Sequence, residues 1–238
     1  MKGKMYIFSL ALLVLAGFAA SAGALTFGGG DQHAFTEDFF IEQCTFSSTG
    51  SNTYFVLEPG HQLTLEGFEG KEEVQVVITV LNETEMVEGV ETRVVEESET
   101  IDGELAEISR NFFAICTETG NAFYFGEDVD IFEGGVIVSH EGAWRAGVDG
   151  AVPGVIMPGS PLLGARYFQE MAPDVAMDRA EVIRLDAVVE TPAGVFERCL
   201  ETEETSPIEP NSKDVKFYAP GVGIIVDGPL FLTGVVTP

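Results

Sequence analysis

Apolar residues recur at every second position through much of this chain, and that period restricts it to a β-rich fold. Val74, Val76, Ile78 and Val80 share one face of an extended segment, with Gln75, Val77 and Thr79 on the other. Val90, Thr92 and Val94 alternate with Glu91, Arg93 and Val95. Leu105, Glu107, Ser109, Asn111 and Phe113 share a parity, and Ile183, Leu185, Ala187 and Val189 repeat the pattern later. Side chains of a strand alternate between its faces, whereas an amphipathic helix repeats about every 3.6 residues. No long segment carries the helical period.

Turn chemistry punctuates these segments. Asn82 to Gly89 is expected to connect two strands, Asp102-Gly103 and Thr119-Gly120-Asn121 to make tight turns, and Gly126 to Gly135 to form an acidic loop. Tallied this way, the chain holds about nine to eleven short strands at hairpin spacing. The expected fold is all-β and mainly antiparallel: a curved sheet, open barrel or sandwich. One or two short helices are expected beside it. The first would open at Thr36 with Glu37 and Asp38 in its first turn, and the second at Pro173, placing Asp174 and Asp178 on one face. Val136 to Val182 is dense in Gly and Pro and holds the single Trp, so it reads as a long irregular region over the sheet.

The amino terminus has a different character. Lys2 and Lys4 precede an apolar run from Ile7 to Ala20, and Ala22-Gly23-Ala24 supplies a small-x-small cleavage site. This is the pattern of a signal peptide cleaved after Ala24, with a secreted or periplasmic product. The expected organisation is residues 1–24 as signal peptide, 25–53 as an amino-terminal arm and loop, and 54–238 as one β-rich domain. Cys44, Cys116 and Cys199 are an odd set, leaving one thiol after a single disulfide. Three pairings are open, and Cys44–Cys116 is favoured.

A formal net charge of −27 makes nucleic acid and anionic membrane surfaces poor partners and favours cations and basic molecules. No later segment is suited to span a bilayer. The absence of Cys-x-x-Cys argues against structural zinc, and Gly147 to Gly154 lacks the Gly-Lys-Ser/Thr ending of a phosphate loop. Gly159-Ser160-Pro161 is not a nucleophile elbow. Four groupings remain. His140 and Glu141 beside Trp144, with Asp149 and Glu170 nearby in sequence, are candidate acid–base residues. Trp144, Tyr167 and Phe125 are candidate ligand-binding rings. Glu127, Asp128, Asp130 and Glu133 are the candidate metal ligands, calcium being the one cofactor with a case. Val76, Ile78, Phe113, Phe125 and Leu185 are expected to face inward.

Several of these segments together form a pattern. Gly126-Glu127-Asp128-Val129-Asp130, Ser139-His140-Glu141-Gly142-Ala143-Trp144, Ala146-Gly147-Val148-Asp149-Gly150-Ala151 and Tyr218-Ala219-Pro220-Gly221-Val222-Gly223 resemble a family of uncharacterised secreted prokaryotic β-rich proteins. The similarity covers roughly Tyr54 to Ile225 and implies the fold without implying an activity. The final third resembles, more loosely, periplasmic sheets of the lipoprotein-carrier type, which implies a curved sheet around an apolar cavity. The functional expectation is an exported, non-enzymatic binding protein for an apolar or amphipathic ligand or a partner protein. The alternatives are a carbohydrate-active hydrolase using acids near Trp144 and a calcium-binding extracellular module.

Overall fold

A computed structural model describes residues 34–238; the expected signal peptide, residues 1–24, and the Gly-rich stretch after it lie outside the described residues. The described residues form one 3-10 turn, Ile41–Gln43, and sixteen strands. They are β1 (Phe46–Ser47), β2 (Gln62–Glu69), β3 (Glu72–Val87), β4 (Val90–Ile101), β5 (Glu104–Cys116), β6 (Ala122–Glu133), β7 (Val136–Ser139), β8 (Trp144–Arg145), β9 (Val152–Met157), β10 (Arg166–Phe168), β11 (Glu170–Met171), β12 (Arg179–Thr191), β13 (Gly194–Thr205), β14 (Asp214–Ala219), β15 (Gly223–Asp227) and β16 (Leu230–Val236). The all-β, antiparallel expectation holds. Neither expected helix forms: Thr36 bridges Tyr167 in extended conformation, and Pro173 to Val175 is a turn.

The strands run in the order β10-β12-β13-β14-β15-β16-β2-β3-β4-β5-β6-β9-β11. Its two ends are one piece of chain, because β10 and β11 are separated only by Gln169. Arg166 to Phe168 pair with β12, and Glu170 and Met171 pair with β9, so the sheet is nearly closed into a barrel. At the seam, the Gln169 amide donates to the Asp178 carbonyl at 2.7 Å. Gly154 makes the approach feasible, since a Cβ there would lie 2.4 Å from the Gln169 carbonyl carbon. Near-closure leaves the short strands β10 and β11 at the two ends of the order, so little open edge is exposed for a sheet of this size.

Two expected loops are strands. Asn82 to Val87 continue β3, and the hairpin shrinks to Glu88-Gly89, whose φ angles of 50° and 82° are those of the turn that matches strand twist. Gly126 to Glu133 belong to β6, because Val129 and Ile131 keep the buried parity through the acids between them. Along its outer side β6 meets three partners in succession: β9 at Ala122 to Tyr124, β8 at Gly126 and Glu127, and β7 at Ile131 to Glu133. The irregular region after Val136 is thus fastened to one long strand.

The apolar core comprises a larger cluster around Phe112, Phe113, Tyr124 and Trp144 and a smaller one around Leu63, Leu65, Ile225 and Leu232. Ile78 and Ile224 pack against both. The described part of the arm, residues 34–53, packs against the barrel. Phe46 pairs with Cys116 and sets its ring edge-on to Phe123 and Phe125, at centroid distances of 5.5 and 5.3 Å. The favoured disulfide, Cys44–Cys116, ties the arm to β5, and Cys199 is a buried thiol.

Candidate functional site

Strand parity carries acids into the barrel. In register, Val80, Val95, Asn111 and Glu127 form one cross-strand row; Ile78, Glu97, Ser109 and Val129 form the next; Val76, Glu99, Glu107 and Ile131 form a third. Glu97, Glu99, Glu107 and Glu127 therefore share a face with the apolar residues of β3. On the facing strands, Thr202, Lys216 and Asp227 form another row, with Glu204 two residues beyond Thr202. The interior is apolar with a polar seam running through it.

The seam is extensively hydrogen-bonded. Lys216 Nζ lies 3.2 Å from Glu204 Oε2 and 3.5 Å from Asp227 Oδ1. Glu204 Oε1 accepts from Gln169 Nε2 at 3.0 Å, Tyr218 Oη at 3.2 Å and Thr202 Oγ1 at 3.3 Å. The Tyr124 hydroxyl donates to Asn111 Oδ1 at 2.5 Å, and Asn111 Nδ2 donates to Ser109 Oγ and the Val95 carbonyl. Tyr167, 4 % exposed, directs no hydrogen bond from its hydroxyl, and burial with the nearby Glu204 charge raises its pKa.

Burial dominates the electrostatics. It pushes the Glu97 carboxyl up to about 7, with Asp227 and Glu107 adding to the shift and Lys216 opposing it. Asp178 is also raised to about 7, by burial and then by the Glu204 charge. Glu127 and Glu170, 0 % and 1 % exposed, are held well above the ordinary carboxyl range by burial first. Glu107 then acts on Glu127 and Asp178 on Glu170, since like charges brought together disfavour ionisation. Burial also opposes the Lys216 charge, but Asp227 and Glu204 outweigh it and hold the ammonium well above its ordinary value.

Where the two core clusters meet, a cavity of about 80 Å³ opens among Leu63, Ile78, Val80, Val95, Phe113 and Ile224. Its charged lining residues are Glu97, Lys216 and Asp227. His61 also lines it and is 4 % exposed. The His61 Nε2 lies 2.8 Å from the Val222 carbonyl, which fixes the proton on that nitrogen. Its Nδ1 has no hydrogen-bond partner and presents a lone pair.

The residues singled out in the sequence are dispersed. Glu141 and Asp149 are exposed, whereas Glu170 is sealed in the interior next to Glu127 and Asp178, so the acid–base candidates do not share an environment. His140 Nδ1 lies 2.8 Å from both the Val129 carbonyl and the Asp130 carboxylate on the exposed surface. Trp144 is buried edge-on against Tyr124 at 5.2 Å. It forms the floor of a second cleft, of about 220 Å³, with Glu127, Val148 and Val175. Phe125 does not face inward with Phe113: Phe113 pairs with Tyr124, which puts Phe125 on the opposite face under Phe46. Of the expected inward residues, Ile78 and Phe113 line the apolar cavity.

Alternation also divides the metal quartet. Glu127 points inward; Asp128 points outward to Arg145 at 2.7 Å; Asp130 meets His140; Glu133 is exposed at the strand end. Among the described residues, the one cluster with metal-ligand proximity is Cys44, Cys116 and Glu118, and its two sulfurs form the disulfide. Asp174 and Asp178 do not share a helix face. Asp174 is exposed at a φ of 63°, and the Asp178 carboxyl is turned inward.

Arg145 covers the outer wall of the second cleft, with its guanidinium 4.1 Å from the centroid of Phe112 and ion pairs to Asp128 and Glu85. Replacing it with Met is expected to cost about 1 kcal/mol in urea unfolding, the sum of a modest cation–π contact and half-exposed ion pairs. Comparison with protein families, with curated proteins and with solved structures returns no match for this chain.

Proposed function

We propose that this protein is an exported, non-enzymatic binding protein that takes an apolar or amphipathic small molecule into the barrel. The observation that carries the reading is the cavity at the junction of the two core clusters, walled by aliphatic and aromatic side chains and supplied at a few points with polar groups. Small-molecule sites have that composition. At about 80 Å³ it is roughly half the size of an engineered apolar cavity of about 150 Å³ that binds benzene, so it suits a short alkyl group or one end of a longer molecule. The Cys44–Cys116 disulfide supports export, since such bonds persist in oxidising compartments. Among the described residues no helix is long and apolar enough to cross a membrane. The weaker resemblance to lipoprotein-carrier sheets implies the same kind of cavity.

Saturation-transfer NMR with neutral n-butanol tests this. Transfer is expected with the wild-type protein and is expected to vanish in Ile224→Trp, where an indole grows into the cavity from a half-buried position. A folded wild-type protein that shows no transfer to butanol or to any other neutral short-chain solute overturns the reading.

A further inference from the structure

We infer that the ligand's polar end is an ammonium: the cavity takes a small amphipathic amine, its alkyl part among Ile78, Val80, Val95 and Phe113 and its nitrogen facing Glu97, Asp227 and His61. This rests on the reading of the cavity as a binding site and specifies which molecules that site prefers. Three independent features of the lining support it.

The polar groups available to a ligand there are acceptors. Asp227 and Glu97 bring carboxyl oxygens, and His61 brings the Nδ1 lone pair that no protein donor satisfies. A buried acceptor left unpaired costs free energy that an N–H donor recovers. The one cation in the lining, Lys216, is already engaged by Glu204 and Asp227, so it offers little to an anionic or carboxylate ligand. Charge follows the same sense. Glu97, Asp227 and Glu204 face a single ammonium, so one more positive charge would improve the local balance.

The walls contribute as well. Phe55 and Phe113 meet edge to face at 5.2 Å, and the rings of Tyr54 and Tyr218 complete an aromatic margin around the acceptors. Aromatic faces attract ammonium groups, more strongly where water is excluded. Outside the cavity, the net charge of −27 raises the local concentration of cations and repels anions.

The test compares three probes of nearly equal shape, n-butylammonium, n-butanol and butyrate, by NMR titration of the purified full chain at pH 7.5 and low salt. Butylammonium is expected to bind at least tenfold more tightly than butanol, with butyrate weakest, and Glu97→Gln is expected to narrow the ammonium-to-alcohol ratio. Butanol binding as tightly as butylammonium overturns the amine assignment and leaves the apolar reading standing. A ratio unaltered in folded Glu97→Gln also overturns it, because the nitrogen then lies elsewhere. If none of the three binds, the cavity is not a site, and the underlying reading falls together with the inference.

Discussion

The protein is expected to be more stable at pH 5.5 than at pH 8, by about 3 kcal/mol or more, which is a rise in Tm on the order of 6–10 °C for a chain of this size. The direction follows from the interior acids. Glu97 titrates near 4.5 when unfolded and at about 7 in the barrel, and Asp178 moves from 3.8 to about 7. Glu127 and Glu170 move farther in the same direction. Across this interval the folded state binds more protons than the unfolded one, so stability is fully present below the unfolded values and is lost as pH rises through the folded ones. One carboxyl raised from 4.5 to about 7 corresponds to about 3 kcal/mol, and because these acids interact, their contributions do not simply add. Glu118 works the other way, its carboxylate held low by the Thr45 amide, but from a fully exposed position. Relief of surface repulsion also favours acid. It is screened by salt, so the effect of the interior acids is the part that persists in 0.5 M NaCl. Urea unfolding at the two pH values in high salt measures it, with Glu97→Gln expected to flatten part of the difference. Stability that is constant or rises from pH 5.5 to 8 would show that these acids are solvated in the folded protein.

The fold was legible because its strands obey a parity that sequence displays directly. The same parity explains what was missed. Glu97 and Glu99 follow Val95 at even spacing, and Glu107, Ser109 and Asn111 lead to Phe113, so their inward orientation was encoded. Carboxylates ordinarily lie on the solvated face, so composition and period point in opposite directions at these positions. In β6 the acids form neither a loop nor a shared cation site, because adjacent residues of a strand point to opposite sides. The region after Val136 is dense in Gly and holds the Trp for packing reasons: Trp144 covers the barrel wall beside Tyr124, and Gly126 and Gly154 admit close backbone crossings. Lys216, Asp227 and Glu204 were invisible as a group because hydrogen bonds across three strands, with no sequence motif, bring them together.

Lys216→Met is expected to lower stability at pH 8 by about 3–5 kcal/mol, the range for breaking a buried ion pair from one side. The side chain is buried, and Met fills much of the volume of the aliphatic stem, so lost packing contributes little. What changes is that Glu204 and Asp227 keep their places without a countercharge. Glu204 retains the donors Gln169, Tyr218 and Thr202, which soften its desolvation. Asp227, already raised by burial against the pull of Lys216, loses the partner that favoured its charged form and takes up a proton more readily. The variant should therefore regain much of its loss at pH 5.5 and depend more steeply on pH than the wild type. Adding Asp227→Asn should recover part of the loss at pH 8, because the two changes act on one interaction and are not additive. Urea unfolding of wild type, both single variants and the double variant at the two pH values supplies the cycle. A loss below 1 kcal/mol at pH 8, or losses that simply add, would mean that water rather than this ammonium balances the interior acids. A loss of the expected size that acid repairs would establish Lys216 as the charge that lets an acidic interior fold at neutral pH.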